Sequence, residues 1–183
     1  MHERPRDLPP RRGGAAGITV VLAGCLLAGC TASPPADPEP TATPSLTQEQ
    51  QDDRAFRDVF TRYVSLAPSE ETEEVLSGML TGDALAGELS SVRDTQQKDQ
   101  HAEGKAMASA FEVTSRGSDD KGDFMVAQAC LDVSGIRVLD ATGKDVTPTR
   151  DTRLSLQMKA TKAADGSWRI SDSLRNESVH ACA

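Results

Sequence analysis

Arg153-Leu154-Ser155-Leu156-Gln157-Met158-Lys159-Ala160 alternates apolar and polar residues without a break. That period of two belongs to a strand with one face buried, so Leu154, Leu156, Met158 and Ala160 face a core and Arg153, Ser155, Gln157 and Lys159 face away. Ala164-Asp165-Gly166-Ser167 then supplies hairpin-turn chemistry, and Trp168 and Ile170 resume the inward face. Upstream, Met107, Phe111 and Val113 start a strand, and Arg116 to Gly122 reads as a turn-rich polar loop. Asp123 to Ser134 reads as a long apolar-rich strand containing Cys130. Ile136 to Asp140 follows, closed by the turn residues Ala141-Thr142-Gly143-Lys144.

Before Lys105 the period is 3.6. Thr47 and Gln50 form a capping box, and Phe56, Val59, Phe60, Tyr63 and Val64 make the apolar stripe of an amphipathic helix. Arg54, Arg57, Asp58 and Arg62 take its opposite face. Pro68 ends this helix and Ser69 is placed to cap a second. Glu70, Glu71, Glu73 and Glu74 occupy the first turns of that second helix, where the helix dipole favours acids, and Val75, Leu76, Met79 and Leu80 form its apolar face. Gly82 and Asp83 mark a break and a new cap, and Leu85, Leu89 and Val92 carry a third helix towards Gln100. Helices followed by consecutive antiparallel strands predict an α+β domain over 47–183, its helices packed on one face of a curved sheet.

The N-terminus has a different character. Arg4, Arg6, Arg11 and Arg12 precede an apolar run from Ala15 to Ala28, about 14 residues and within the range of a secretory signal. The run ends in Leu27-Ala28-Gly29-Cys30, which resembles the lipobox of bacterial lipoproteins. The resemblance implies cleavage before Cys30, a diacylglycerol thioether on its Sγ, and a domain tethered to the extracytoplasmic face of the cell membrane. Leu22-Ala23-Gly24-Cys25 repeats the motif, but processing there leaves an apolar run of about 8 residues, near the lower limit. The alternative, an uncleaved signal anchor, has an interrupted apolar core shorter than the ~20 residues a spanning helix needs. Arg11-Arg12 lacks the residues that should follow in a twin-arginine signal. The division is therefore 1–29 signal peptide, 30–46 lipidated Cys and linker, 47–183 folded domain. Thr31 to Ser45 holds five prolines, so the linker is an extended spacer reaching at most about 45 Å.

The chain has 20 Lys and Arg against 28 Asp and Glu. Residues 1–29 contain four Arg and two acids, which leaves 16 against 26, a net charge near −10 after cleavage. Such a surface disfavours nucleic acid and anionic headgroups. An aromatic content of 3% leaves little with which to build a stacking platform for bases or sugars. Cys130 and Cys182 are the two cysteines of the mature domain, and in an oxidising compartment they read as a disulfide. The chain-entropy model assigns such a loop about 4 kcal/mol. A metal or redox role finds no Cys-x-x-Cys, and His180 is the one histidine nearby.

Several motifs together resemble secreted actinobacterial lipoproteins of the nuclear-transport-factor-2-like (SnoaL-like, cystatin-like) cone fold. They are the long first helix, Thr81-Gly82-Asp83-Ala84-Leu85, Gly104, Ala129-Cys130-Leu131-Asp132-Val133-Ser134, Asp140-Ala141-Thr142-Gly143-Lys144 and Gly166-Ser167-Trp168-Arg169-Ile170. The resemblance spans residues 47–183 and implies a cone-shaped domain. The fold hosts isomerases, dehydratases, transport adaptors and secretion components, so it names no activity by itself.

Cone-fold enzymes of this kind usually hold an Asp or His base, often with a Tyr, in an apolar pocket. Tyr63 lies on the core stripe and reads as a packed residue with its hydroxyl at the rim. His101 reads as a solvated helix-end residue, and His180 lies beside the C-terminal cysteine. No acid or nucleophile is marked beside either histidine. Asp119-Asp120-Lys121-Gly122-Asp123 lacks the alternating ligands of a calcium loop and reads as a hairpin turn. A phosphate loop ending in Gly143-Lys144 requires Gly at 138 and Ser or Thr at 145, where Val138 and Asp145 stand. The expectation is a non-enzymatic envelope module with no catalytic residue, cofactor or metal. It is held to the membrane through Cys30 and binds an envelope protein or an apolar small ligand. The rivals are a cone-fold isomerase or dehydratase and a scaffold subunit of an envelope or secretion assembly. An enzyme requires a cavity with a buried group of shifted pKa. A carrier requires an apolar cavity, and a scaffold a filled interior with an exposed apolar patch.

Overall fold

Thr47 caps the first helix with the reciprocal bonds expected of it. Its hydroxyl accepts from the Gln50 amide at 3.3 Å and the Gln50 side chain accepts from the Thr47 amide at 2.9 Å. The computed structural model describes residues 45–183; the expected signal peptide, Cys30 and nearly all of the expected linker lie outside the described residues. Helix α1 runs Gln48–Ser65 and buries Phe56, Val59 and Phe60. A 3-10 turn, Pro68–Glu70, follows it.

The second helix starts later than the acidic run suggests. Helix α2 is Glu73–Ser77, capped by Thr72, whose hydroxyl accepts from the Val75 amide at 3.3 Å. Ser69 is consumed by the 3-10 turn that Pro68 initiates, its fixed φ suiting that position. Helix α3 is Gly82–Gln97, and its Thr81 cap makes no side-chain bond. The Thr81 amide instead donates to the Ile170 carbonyl at 2.8 Å, and the Ile170 amide donates to Met79 at 2.9 Å. Met79 to Thr81 therefore runs along a sheet edge. Gly82 turns the chain away with φ +55°, and a Cβ there would lie 3.0 Å from the Ser171 carbonyl oxygen.

Strands β1 (His101–Glu103), β2 (Met107–Asp119), β3 (Gly122–Asp132), β4 (Arg137–Leu139), β5 (Arg153–Lys162) and β6 (Trp168–Arg175) follow. The main sheet is antiparallel with order β2-β3-β5-β6, and β1 pairs with β4 in a separate two-stranded sheet. The register sets Ala127 against Met158 and Ala129 against Leu156. Arg116 to Asp119, read as loop, continues β2. Arg116 pairs with Asp53 and Glu49 of α1, and the turn is confined to Asp119–Gly122, where the Asp119 carboxylate accepts from the Lys121 amide. Two register shifts in β2 had obscured its alternation.

The fold is α+β, three helices packed against antiparallel sheets. Phe56, Phe60, Leu76 and Leu80 meet Met125, Met158, Trp168 and Ile170, while Ala127, Ala129 and Ala160 give the rings room to approach the sheet. Phe111 stands edge-on to Phe56 at 5.2 Å. The side chains of this layer are buried and pack against one another. The indole N–H of Trp168 donates to Asp52 at 3.0 Å and ties the last strand to α1.

On the other face the C-terminal segment crosses β5. The Asn176 amide donates to the Ser155 carbonyl at 2.8 Å, and the Cys182 amide donates to the Ser155 hydroxyl at 3.3 Å. Cys130, on β3, and Cys182 are joined by the disulfide, across a sequence separation of 52. Ser155, 2% exposed, is buried beneath this strap with its hydroxyl and carbonyl both used.

Candidate functional site

Helix α3 leaves the main sheet and, with the Pro68–Glu70 turn, forms one wall of a cleft of about 430 Å3 whose other wall is the β1–β4 pair. Val92, Ala102, Ile136 and Val138 contribute apolar surface; Glu71, Glu88, His101 and Arg150 bring charge or titratable groups. The small sheet exists because α3 stops at Gln97. Asp99 takes φ +49°, the Gln100 amide donates back to the Thr95 carbonyl at 3.0 Å, and the chain reverses into β1.

Glu71 and Glu88 are the chemically distinctive pair. Glu88 sits on α3 and accepts a hydrogen bond from the Tyr63 hydroxyl at 2.7 Å. Glu71 is the residue between the 3-10 turn and Thr72. All three side chains are half-buried. Burial, and then the charge of Glu88, push the Glu71 carboxyl up to about 7. Burial, followed by the charge of Glu88, raises the Tyr63 hydroxyl well above the phenol range, so it remains a donor. Two carboxyls in one cleft of reduced dielectric resist double ionisation. The Glu71 carboxyl is the one held up, by burial first and the neighbouring Glu88 second.

Tyr63 is thus on the core stripe, and its hydroxyl reaches Glu88 of the cleft wall without Tyr63 itself lining the cleft. His101 is not a helix-end residue. It lies in β1, exposed at the cleft wall, with Nε2 3.6 Å from Glu103. His180 caps the C-terminal 3-10 turn Glu177–Val179 in a left-handed conformation, φ +49°, and is exposed. It is not a lining residue of the cleft. Cys130 and Cys182 belong to the strap, and Cys30 lies outside the described residues. Glu88 carried a sequence signal that was easy to pass over: with Leu85, Leu89 and Val92 it completes an i, i+3, i+4, i+7 stripe, so an acid stands on a packing face.

A broader concavity of about 570 Å3 separates α1 from the β5–β6 hairpin, lined by Asp58, Arg62 and Trp168 among others. Among the described residues no group of three or more His, Cys, Asp or Glu is placed to hold a metal, and no helix is long and apolar enough to cross a membrane.

No family model matches the chain, and no curated relative matches it. Among solved structures, the chain is similar to the crystal structure of the intermembrane space region of the chloroplast protein ARC6. The identity is 15%, over 72% of this chain and 98% of that one, with a TM-score of 0.48. A likeness this distant leaves function to the chain's own residues.

Proposed function

We propose that this chain is a lipid-anchored extracytoplasmic binding module, of the cone-fold type its motifs resemble, that takes its ligand in the α3 cleft and not beneath the sheet. The observation that carries this reading is the filled helix–sheet layer: Phe56, Phe60, Leu76, Leu80, Met158 and Ile170 are each less than 2% exposed, which leaves no room there for a substrate. The basic–apolar–Leu-Ala-Gly-Cys order ending at Cys30 supports the anchor. The Cys130–Cys182 bridge accords with an oxidising compartment. The cleft joins apolar walls to a carboxyl pair, which suits a small ligand with an apolar body and a cationic, donor-rich end.

The test is NMR shift mapping on the detergent-solubilised chain with phenethylamine, against phenylacetate as control. Phenethylamine should move amide resonances of Glu88, Val92, His101 and Val138, weakly or not at all in Glu88→Gln, and phenylacetate should leave them in place. Equal responses to the two compounds, or none, would remove the cleft from the account.

A second reading, an isomerase or dehydratase, draws on Glu71, a carboxyl poised to exchange protons near neutrality. It requires a substrate whose turnover is lost in Glu71→Gln while binding persists.

A further inference from the structure

The two sulfurs of the Cys130–Cys182 bridge have unlike surroundings. Cys130 stands on β3 and is 1% exposed, whereas Cys182 is half-buried on the strap that crosses β5. The Arg153 guanidinium, on β5, donates from Nη2 to Cys130 Sγ at 3.7 Å. Among the described residues Arg153 forms no ion pair. Asp132, opposite it on β3, feels its charge but turns its carboxylate to the Ser134 amide, 2.9 Å away. Cys130 also borders a concavity with Met107, Ser109 and Arg153, yet at 1% exposure it is not open to attack from there. A positive charge thus rests against the buried cysteine, and the cysteine open to solvent is the other one.

Little besides the bridge holds the end of the chain. Asn176 is tied to Ser155 and Gln157. From Glu177 onward, the bond from the Cys182 amide to the Ser155 hydroxyl, 3.3 Å long, is the one hydrogen bond to β5 among the described residues. Glu177, Ser178 and His180 are exposed. A segment with so few buried contacts opens at low cost once its covalent tie is gone.

We propose that the bridge is a thiol-operated clasp: a dithiol reductant attacks Cys182, Cys130 leaves as a thiolate held by Arg153, and the 177–183 strap lifts off β5. In the first step the reductant's thiolate forms a bond to Cys182 Sγ, the S–S bond breaks, and its electron pair goes to Cys130. In the second, the reductant's other thiol attacks its own partner sulfur in the mixed disulfide. Cys182 departs as a thiolate and takes up a proton, and the reductant is left as a disulfide. Such exchange is faster when the attacked sulfur is accessible and the departing thiolate is stabilised, and a guanidinium favours a thiolate. Release uncovers Ser155, the buried polar residue beneath the strap. The clasp depends neither on the α3 cleft nor on the anchor, so it stands or falls apart from the binding reading.

The test is reaction of the detergent-solubilised full chain with reduced glutathione at neutral pH without denaturant, quenched in acid, alkylated in denaturant and mapped by peptide. Glutathione should be found on Cys182 and the alkyl label on Cys130. Glutathione on Cys130, or shared equally between the two, would overturn the assignment whatever the variants do. With dithiothreitol, Arg153→Gln should lose the bridge roughly five-fold more slowly, as expected of a departing thiolate without its counter-charge. Arg153→Lys should restore most of the rate. A wild-type rate in Arg153→Gln, or Arg153→Lys as slow as Arg153→Gln, would remove Arg153 from the clasp. Reduction of the wild type should also outrun hydrogen exchange of the Ala127 and Ala129 amides, which marks opening of the whole domain; reduction no faster than that exchange would contradict release of the strap alone. In the reduced, alkylated chain the Asn176 and Cys182 amides should lose protection while Ala127 and Ala129 keep theirs. Unchanged protection at Asn176 and Cys182 would mean that the strap does not lift.

Discussion

The Tyr63 hydroxyl donates to the Glu88 carboxylate at 2.7 Å, linking helices whose partners lie 25 residues apart. It is a charge-assisted bond in a half-buried place, where such bonds are shorter and stronger than neutral ones. It also explains why a tyrosine sits on an otherwise hydrocarbon stripe: the ring packs on the core while its hydroxyl reaches Glu88.

Tyr63→Phe keeps the ring and removes the bond. Loss of a hydrogen bond to a charged group should cost about 1–2 kcal/mol in urea unfolding. An unchanged midpoint would mean that the bond contributes nothing in solution.

The position of the second cap is tested by a pair of substitutions. Thr72→Ala should destabilise by about 1 kcal/mol, the usual cost of losing a helix cap, whereas Ser69→Ala should be near neutral. The opposite ranking would restore Ser69 as the cap and require α2 to begin a turn earlier.

Non-reducing peptide mapping should recover Cys130 joined to Cys182, and reduction should lower Tm by several degrees. The strap predicts where the damage falls: exchange protection should drop first around Ser155 and Asn176, whose bonds it holds. Two free thiols in exported protein would contradict the pairing.

The pH profile follows from opposing sets of carboxyls. Glu71 is raised from an ordinary 4.5 to about 7 in the folded chain. The folded state therefore holds a proton the unfolded state releases. The stabilisation is complete below 4.5 and lost as pH rises through 7. Asp140, Asp145 and Asp165 are held below their usual 3.8 by hydrogen bonds from Thr142, Thr147 and Ser167 respectively, so their contribution is lost as pH falls through that range. Urea midpoints should peak between these limbs, and Glu71→Gln should flatten the alkaline limb alone. A wild-type midpoint flat from pH 5 to 8 would contradict the assignment.

Much of the fold was legible where one residue decides local structure. The alternation from Arg153 to Ala160, the Thr47–Gln50 box and the Asp165-Gly166 turn all formed as read, because each is governed by neighbours in sequence. The misreadings share a cause, partners distant in sequence. Met79 to Thr81 leaves the helix because β6 offers it hydrogen bonds. His101 becomes a strand residue because Leu139 pairs with it. Arg116 to Asp119 stays extended because α1 supplies counter-charges and β3 supplies a ladder. The carboxyl pair was invisible for the same reason: Glu71 reads as a dipole-favoured acid until α3 folds Glu88 into the same cleft.

The proposed extracytoplasmic compartment and binding role at the envelope both depend on acylation at Cys30. Two acyl chains hold a protein on a membrane where one does not. The direct measurement is metabolic labelling with an alkyne fatty acid in cells expressing wild type, Cys25→Ala and Cys30→Ala chains. Wild type and Cys25→Ala should be labelled and recovered with membranes, and Cys30→Ala should carry no label. Labelling that survives Cys30→Ala and vanishes in Cys25→Ala, or a wild-type chain that takes up no label, would contradict it.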